Sequence, residues 1–313
     1  MIKAKNLHPE LRSTINPLPR KAFHVCKSTA ENVDYLYDNV PRGCLVHTIS
    51  EAVARADAYE DVIVWPGQYK EDATIAITQD SLRLIAAEMP IWGGSQIRTE
   101  IRQYGNVDTP CISIEGAHNV EVGGFRITPY DPGTDSVGIN VSQVAASYGT
   151  LIHHNRFYGV GSASTGPCHV QLGVVDSESL NADSTLLYRN EFYLGMAGND
   201  DVAQVMWNNA VHADIRENTF WAHGNTSSYM CIKIDDAAGM RGGIFDNRFI
   251  NIEIGLNGSN GVAISNPTPA GGGVSIDGNH FINWAADENC IAAMSNDTLG
   301  LNYNNESVIA SDD

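Results

Sequence analysis

After residue 60, apolar and polar residues alternate in short segments that turn residues separate. The segments 74–77, 82–85, 111–114 and 120–122 each carry this pattern with a period of two. Such a period places alternate side chains on opposite faces of a strand. No helical pattern of ten or more residues follows residue 60. The sequence therefore predicts an all-β body.

One short helix is predicted before this body. Thr48 and Glu51 fit a capping box, in which Thr48 is the N-cap and Glu51 reaches back to it. An apolar stripe at helical spacing follows, formed by Ala52, Val53 and Ala56. The continuous apolar run 62–65 then indicates a buried strand, which Pro66 and Gly67 end.

The second half of the chain contains a repeat. The pattern Ile/Leu-x-x-Asn-x-Phe occurs five times, with asparagines at Asn155, Asn190, Asn218, Asn247 and Asn279 and phenylalanines at Phe157, Phe192, Phe220, Phe249 and Phe281. Successive asparagines lie 35, 28, 29 and 32 residues apart. An earlier degenerate copy is Val120-x-x-Gly123-x-Phe125. Self-similarity at this period indicates a solenoid, a propeller or an array.

Each repeat position has a physical role in a solenoid. The aliphatic residue points inwards, and Phe stacks on its counterparts in neighbouring coils. Asn lies at a turn, where it tolerates left-handed backbone and its amide can bond the next amide. Two other repeat architectures are excluded. The chain contains only 16 Leu, too few for the several Leu per unit of leucine-rich repeats, and it lacks the Trp-Asp signature of WD40 blades. We therefore predict a right-handed parallel β-helix over residues 44–313, with an N-terminal cap at 44–72 and a closing segment at 290–313.

Two regions carry a resemblance to a known superfamily. Residues 62–71, with Gly67, Tyr69 and Glu71, resemble the N-terminal cap of pectin-lyase-like proteins, and the repeats resemble their later coils. The resemblance spans residues 48–290 and implies the β-helix fold. That superfamily includes lyases, hydrolases, esterases, phage tailspikes and non-catalytic structural proteins. The catalytic strings of pectin methylesterases, Gln-Asp-Thr-Leu and Asp-Phe-Ile-Phe-Gly, are absent, so we interpret Tyr69 and Glu71 as cap structure.

A weak catalytic constellation resembles that of polygalacturonases. It consists of Asn181-Ala-Asp183, Asp200-Asp201, His223-Gly224 and Lys233, and Asp235-Asp236 beside Arg241 is a weaker counterpart of a lyase calcium site. Asp183, Asp200, His223 and Lys233 lie 28, 10, 5 and 15 residues after their repeat Asn. These offsets scatter around the coil, so we assign no catalytic residue. Asp200, Asp201, His223, Lys233, Asp235 and Asp236 stay as weak candidates, because long loops can bring distant offsets together.

Other chemistry-bearing residues give no site. His153 and His154 are adjacent, and strand neighbours point to opposite faces, so they are not expected to share a metal. The six cysteines lie far apart without a CxxC pair, which favours free, mostly buried thiols over zinc ligands. No metal or cofactor is predicted. Trp207, Trp221 and Trp284 could stack on sugars, but packing between subunits is the favoured interpretation.

Charge is unevenly distributed along the chain. Residues 1–42 hold 7 Lys+Arg and 4 Asp+Glu, a net +3, which leaves 12 − 33 = −21 for the rest. So acidic a body disfavours nucleic-acid binding. Residues 1–43 contain four prolines and no sustained period, so we predict a basic arm or anchor. Its anchoring cations are Lys3, Lys5, Arg12, Arg20 and Lys21.

These features lead to one functional expectation and two alternatives. No apolar run reaches the roughly 18 residues of a membrane span, and the N-terminus lacks a secretory pattern. We expect a non-catalytic phage virion protein, made in the host cytoplasm, that forms a homotrimer with parallel axes. It would decorate the capsid or form a short spike, with the arm on a capsid or tail protein. The alternatives are a tailspike-type polysaccharide hydrolase or lyase, and a glycan-binding module.

Overall fold

The computed structural model describes residues 20–27, 33–41, 43–88, 98–103, 109–129, 137–161, 168–174, 179–196, 203–224, 230–234, 241–251, 262–265, 273–284, 290–292, 298–304 and 307–309. Two short helices occur in this part of the chain, α1 (Val33–Asn39) and α2 (Ile49–Arg55). Neither is long and apolar enough to cross a membrane. The remaining regular structure consists of strands in three long sheets.

The three sheets are called A, B and C. Sheet A contains β1 (Ala22–Val25), β2 (Leu45–Val46), β3 (Asp61–Val64), β6 (Arg83–Ala86), β9 (Glu121–Gly123), β12 (Leu151–His153), β15 (Leu186–Tyr188), β18 (Ala213–Arg216), β21 (Gly242–Phe245), β24 (Val274–Asp277) and β27 (Thr298–Leu299). Sheet B contains β4 (Gly67–Glu71), β7 (Thr99–Gln103), β10 (Arg126–Thr128), β13 (Arg156–Gly161), β16 (Glu191–Met196), β19 (Thr219–Gly224), β22 (Arg248–Asn251), β25 (His280–Ile282), β28 (Asn302–Asn304) and β29 (Ser307–Ile309). Sheet C contains β5 (Ile75–Ile77), β8 (Ile112–Ile114), β11 (Val137–Val141), β14 (Cys168–Leu172), β17 (Ala203–Trp207), β20 (Met230–Ile234), β23 (Val262–Ser265) and β26 (Ile291–Ala292).

The chain visits sheets A, B and C in turn, so each strand pairs with the strand three places later. From β3 to β26 this gives eight coils, and the pairing is parallel throughout them. The hairpin of β28 and β29 is antiparallel. Apolar side chains from all three sheets form one continuous core. The predicted right-handed parallel β-helix is confirmed.

The predicted asparagine ladder lies at the tight turn between sheets A and B. Asn155 is fully buried, and its Nδ2 donates to Asn190 Oδ1 at 3.2 Å and to the Val122 carbonyl at 3.0 Å. The same bonds repeat at each repeat asparagine and extend to Asn302 in the closing segment. The ladder therefore satisfies buried amide groups at every turn, as the spacing predicted.

The left-handed backbone at this turn lies one residue earlier than predicted. The residue before each repeat asparagine has a φ between 53° and 70°, namely His154, Arg189, Glu217, Asp246 and Gly278. The asparagines themselves are absent from the set of left-handed residues. The residue before the asparagine therefore makes the bend. The asparagine itself is held by its hydrogen bonds to the neighbouring coils.

The phenylalanines stack inside the solenoid. Neighbouring rings in this column have centroids 4.7 to 5.0 Å apart and interplanar angles of 6° to 9°. The column consists of Phe157, Phe192, Phe220, Phe249 and Phe281. This column confirms the role predicted for the repeat phenylalanine and adds packing energy to that of burial.

The degenerate copy at 120–125 has a different register from the predicted one. Strand pairing aligns Val122 with Ile152 and Ile127 with Phe157, so Phe125 occupies the asparagine position. The amide N–H of Phe125 donates to Asn155 Oδ1 at 3.0 Å. The ladder therefore begins on a backbone amide, and the predicted register was wrong by two residues.

Helix α2 covers the core at the N-terminal coil. Thr48 is its N-cap and accepts a bond from the Glu51 amide at 3.2 Å, as predicted. The Glu51 carboxylate does not complete the box but pairs with Arg55 at 3.1 Å. Glu71 accepts from the Ile49 amide at 3.2 Å and from the Ser50 hydroxyl. The Glu71 carboxylate thus holds the start of the helix. This agrees with the sequence-based interpretation of Glu71 as part of the cap.

The β-helix begins earlier than the predicted boundary at residue 43. Strand β1 lies inside sheet A between β2 and β3, and Phe23 and Val25 are buried in the core. Arg20 pairs with Asp61 at 3.3 Å, and Lys21 pairs with Glu60 at 3.0 Å. Residues 20–27 therefore belong to the body, because their backbone completes the sheet. The predicted anchor residues Lys3, Lys5 and Arg12 lie outside the described residues.

Candidate functional site

The outer face of sheet B carries two rows of polar and aromatic side chains. Neighbouring strands place these side chains in register, one coil apart. We call this face the sheet B surface. Its outward residues include Lys70, Glu100, Arg102, Arg126, Arg156, Tyr158, Glu191, Tyr193, Trp221 and Arg248. The repeat positions beside each phenylalanine supply them, since alternate strand residues point outwards while phenylalanine points inwards.

The sheet B surface is locally positive. Its outward rows in the described strands contain five cations, Lys70, Arg102, Arg126, Arg156 and Arg248, against the two carboxylates of Glu100 and Glu191. The whole chain has a net charge of −18. This surface therefore attracts anions that the rest of the protein repels.

Both carboxylates are held in place by neighbours. Arg156 Nε donates to Glu191 Oε2 at 2.7 Å, and the Tyr193 hydroxyl donates to the same oxygen at 3.0 Å. Burial, together with the Glu191 charge, raises the pKa of Tyr193 to about 12. Glu100 accepts bonds from Gln68 and Thr128 and lies 3.6 Å from Arg126. In the described part of the chain, no carboxylate pairs with Arg102 or Arg248, which leaves their charge for a ligand.

An aromatic stack runs along the same surface. Tyr158 and Tyr193 are parallel with centroids 4.9 Å apart, and Tyr193 and Trp221 are 5.5 Å apart. The Arg126 guanidinium lies over the Tyr158 ring at 4.2 Å. Both faces of Tyr193 are therefore covered by its neighbours. The stack stiffens the surface and keeps Arg126 in place, rather than presenting ring faces to a sugar.

A groove adjoins this surface at the corner between sheets A and B. Its volume is about 410 Å³, and it is lined by Arg189, Glu217, Asn218, Thr219, Asp246 and Arg248. We call it the corner groove. Arg189 Nε donates to Glu217 Oε2 at 2.8 Å. Because Arg189, Glu217 and Asp246 hold the left-handed turn positions, the solenoid brings their charged side chains together in adjacent coils. The volume is in the range of small-ligand sites.

Of the six weak catalytic candidates, Lys233 is the one whose side chain lies in the described part of the chain. Lys233 lies in β20 of sheet C, half-buried and in register with Met206 and Ser265. His223 lies in β19, but its side chain is outside the described part. Asp200, Asp201, Asp235 and Asp236 also lie outside the described residues. Asp183 faces His212 at 3.4 Å, beside the start of sheet A.

Two of the three singled-out tryptophans are inside the solenoid. Trp207 is fully buried, and its Nε1 donates to the Ala210 carbonyl at 2.9 Å. Trp284 is 4% exposed, and its Nε1 donates to the Phe249 carbonyl at 3.1 Å. Neither sugar stacking nor subunit packing is open to them, so both sequence interpretations fail for this pair. Trp221 alone of the three lies at the surface.

The cysteines match the expectation of free thiols. Cys44 is half-buried, and Cys26, Cys111, Cys168, Cys231 and Cys290 are buried. Burial raises the pKa of Cys111 and of Cys168 to about 12, so both stay protonated at neutral pH. In the described part of the chain, no cluster of three or more His, Cys, Asp or Glu residues could hold a metal ion.

Sequence reasoning missed the sheet B surface, although a signal was present. The residues that flank each repeat phenylalanine are the unspecified positions of the pattern, so no motif marks them. Read across the repeats, they give Arg156 and Tyr158, then Glu191 and Tyr193. Since adjacent coils are in register, these positions form the outward rows.

Comparisons with known proteins identify the fold. No protein-family model matches the chain, and no curated protein matches it. A pectin methylesterase from carrot is 11% identical with a TM-score of 0.52, covering 84% of this chain and 80% of that one. A mutant pectin methylesterase in complex with hexasaccharide IV is 12% identical with a TM-score of 0.56, covering 94% and 92%. An alginate lyase from Paenibacillus sp. is 11% identical with a TM-score of 0.48, covering 82% and 95%. The chain has the pectin-lyase-like right-handed parallel β-helix fold.

Proposed function

We propose that the protein binds an acidic polysaccharide along the sheet B surface. The observation that carries the proposal is the excess of five cations over two carboxylates on this face of a strongly acidic chain. Guanidinium groups bind carboxylates through two parallel hydrogen bonds, which suits sugars that carry a carboxylate. Repulsion from the rest of the body directs a polyanion to this face.

The shape of the sheet B surface suits a linear polymer. Its cations run from Lys70 in β4 to Arg248 in β22, which are seven consecutive strands of sheet B. The five cations lie in two outward rows, Lys70 and Arg102 in one and Arg126, Arg156 and Arg248 in the other. At a strand spacing of about 4.8 Å, the stretch that they cover is about 29 Å long. The related pectin methylesterase in complex with a hexasaccharide supports the idea that a solenoid of this fold can hold a sugar chain.

The corner groove provides a half-open recess at one end of this surface. Arg248 belongs both to the groove and to the sheet B surface. Its guanidinium can bind a sugar carboxylate, while Thr219 and the carboxylates of Glu217 and Asp246 can bond sugar hydroxyls. This mixture of one unpaired cation and several hydroxyl partners fits a sugar acid better than an inorganic anion.

The direct experiment is calorimetric titration of the purified full chain with polygalacturonate and with dextran. We expect binding to polygalacturonate that weakens at higher salt, and none to dextran. Arg248→Gln is expected to weaken binding about 10-fold, the loss of one charge-assisted bond. The matched control is Arg216→Gln, because Arg216 lies on sheet A and pairs with Asp214. We expect this control to leave binding unchanged. Equal binding of both polymers, or equal effects of both variants, contradicts the proposal.

The same mixtures test the depolymerase alternative. New reducing ends or unsaturated uronates that disappear with Asp200→Ala or Asp235→Ala identify an enzyme.

We propose, as a second role, that residues 1–19 attach the protein to a phage virion. The supporting observation is that the basic N-terminal segment joins the body at its first coil, where Arg20 and Lys21 pair with body carboxylates. Lys3, Lys5 and Arg12 then supply the charge for a capsid or tail protein. A homotrimer with parallel axes, made in the host cytoplasm, is part of this proposal. Retained particle binding after deletion of residues 1–19, or a monomeric mass on the particle, contradicts it.

A further inference from the structure

The adjacent histidines on sheet A share one side of the chain. The sequence predicts that they point to opposite faces, but His154 has a φ of 53°, which turns the backbone at the end of β12. The two imidazole planes are at 90°, and Nδ1 of His153 lies 2.8 Å from Nδ1 of His154. The strand-alternation argument against a shared ligand was therefore wrong for this pair.

Glu121 determines which nitrogen of His153 carries a proton. Its Oε1 lies 3.1 Å from His153 Nε2. An ionised carboxylate only accepts hydrogen bonds, so His153 Nε2 is the donor. In the neutral ring, Nδ1 then has a lone pair directed at His154.

The chain makes room for this arrangement. A Cβ added to Gly123, one coil away, would lie 2.6 Å from Cε1 and Nε2 of His153. The imidazole therefore packs directly over the glycine backbone, with only 7% of His153 exposed. On the other side, the Tyr188 ring meets His154 edge-on at 6.0 Å. Both rings are held by packing rather than being free on the surface.

We propose that His153 and His154 bind a divalent transition-metal ion, Cu²⁺ or Ni²⁺, through their two Nδ1 atoms. With metal–nitrogen bonds of about 2.0–2.1 Å, nitrogens 2.8 Å apart give an angle of about 85° at the metal. That angle fits neighbouring positions of a square-planar or tetragonal site, which Cu²⁺ and Ni²⁺ adopt, and not a tetrahedral zinc site. Water completes the coordination, since no third described His, Cys, Asp or Glu joins the cluster.

Glu121 supports the site without touching the metal. A metal-binding histidine ordinarily donates its other N–H to a carboxylate, which sets the tautomer and the ring orientation. His153 already has this partner. When the metal replaces the hydrogen bond between the two Nδ1 atoms, the neutral His154 ring carries its proton on Nε2 instead, and the bond from His153 to Glu121 stays in place. The site lies on sheet A, so it is independent of the proposed polysaccharide binding.

The test is a titration of the untagged, metal-stripped full chain with Cu²⁺, followed by electron paramagnetic resonance. We expect one bound Cu²⁺ with hyperfine coupling from two nitrogens. His154→Gln is expected to abolish this signal, and Glu121→Gln to weaken binding 10- to 100-fold with the fold intact by circular dichroism. Ni²⁺ titration by calorimetry is expected to follow the same order.

The matched control is His212→Gln. His212 also holds a left-handed turn position, and its side chain is 62% exposed beside Asp183. It should leave the two-nitrogen signal unchanged. Unchanged Cu²⁺ binding in His154→Gln, or equal loss in His212→Gln, overturns the proposal.

Discussion

The Nδ2 of Asn190 donates to Oδ1 of Asn218 at 3.1 Å, one coil along the solenoid. The backbone amide of Asn190 donates to the same oxygen at 2.8 Å. The buried side-chain carbonyl of Asn218 therefore accepts two hydrogen bonds. Nδ2 of Asn218 in turn donates to Oδ1 of Asn247 at 3.0 Å, which continues the ladder. The tight turn between sheets A and B depends on this sharing, because buried backbone groups need partners.

Loss of one ladder amide is expected to be strongly destabilising. Asn218→Ala leaves the Asn190 amide and the Leu187 carbonyl without their partner inside the solenoid. We expect a loss of about 3 kcal/mol in the free energy of unfolding, since each unsatisfied buried group costs about 1–3 kcal/mol. Urea unfolding measures it. Asp72→Ala, on an exposed turn, is the control and should change stability by less than about 0.5 kcal/mol.

The inner and outer aromatic columns should differ in their contribution to stability. Phe220 is fully buried between Phe192 and Phe249, whereas Tyr193 lies half-buried on the sheet B surface. Phe220→Ala is expected to lower the free energy of unfolding by about 3–5 kcal/mol because it opens a cavity. Tyr193→Ala should cost less than half as much. Similar losses in urea unfolding would contradict the assignment of the inner column as the core.

His169 should make the fold sensitive to acid. Its ring is fully buried against Phe157 and Phe192, and burial lowers the pKa of His169 to about 3, from an ordinary value of 6.5. The folded state thus favours the neutral ring. The stabilisation is complete above pH 6.5 and is lost as the pH falls from 6.5 towards 3, by up to about 1.4 kcal/mol per pH unit.

The matched variant for this prediction is His169→Phe. We expect urea unfolding of the variant to depend less on pH than that of the wild type between pH 7 and pH 5. Glu121, whose pKa is lowered, contributes only at pH values below its ordinary 4.5, so this window separates the two groups. An identical pH dependence of the two proteins would show that His169 titrates normally in the fold.

Two truncations test where the body begins. Deletion of residues 1–19 should leave the melting temperature unchanged, because β1 and the ion pair between Arg20 and Asp61 stay. Deletion of residues 1–27 removes β1 and exposes the edge of β3, so the melting temperature should fall by several degrees. Equal melting temperatures for both truncations would restore the predicted boundary at residue 43.

The repeat was readable from the sequence because its two identifying residues have uniform roles. Each repeat Asn is buried in the ladder and each repeat Phe in the stack, so neither varies. The bend was misplaced because His154, Arg189 and Glu217 adopt left-handed backbone without being glycine. Such conformations cost about 1–2 kcal/mol, which the bonds between coils offset, and no residue type marks them.

The sequence alone did not predict strand β1, the register at Phe125 or the sheet B surface, because all three depend on pairing between distant parts of the chain. Strand β1 is four residues long, and only its pairing with β2 and β3 makes it part of the sheet. Phe125 takes an asparagine position because its backbone amide, not its side chain, serves Asn155. The positive surface of sheet B exists only when coils lie in register. Local pattern alone therefore predicts the fold but not this site.

Hydrogen–deuterium exchange with and without polygalacturonate tests the central claim most directly. We predict added protection in β4, β7, β10, β13, β16, β19 and β22 of sheet B and at the turn residues of the corner groove. Strands β14, β17 and β20 of sheet C, the last of which carries Lys233, should be unchanged. Protection confined to sheet C would contradict the proposed binding surface and place the ligand on the strands beside Lys233 instead.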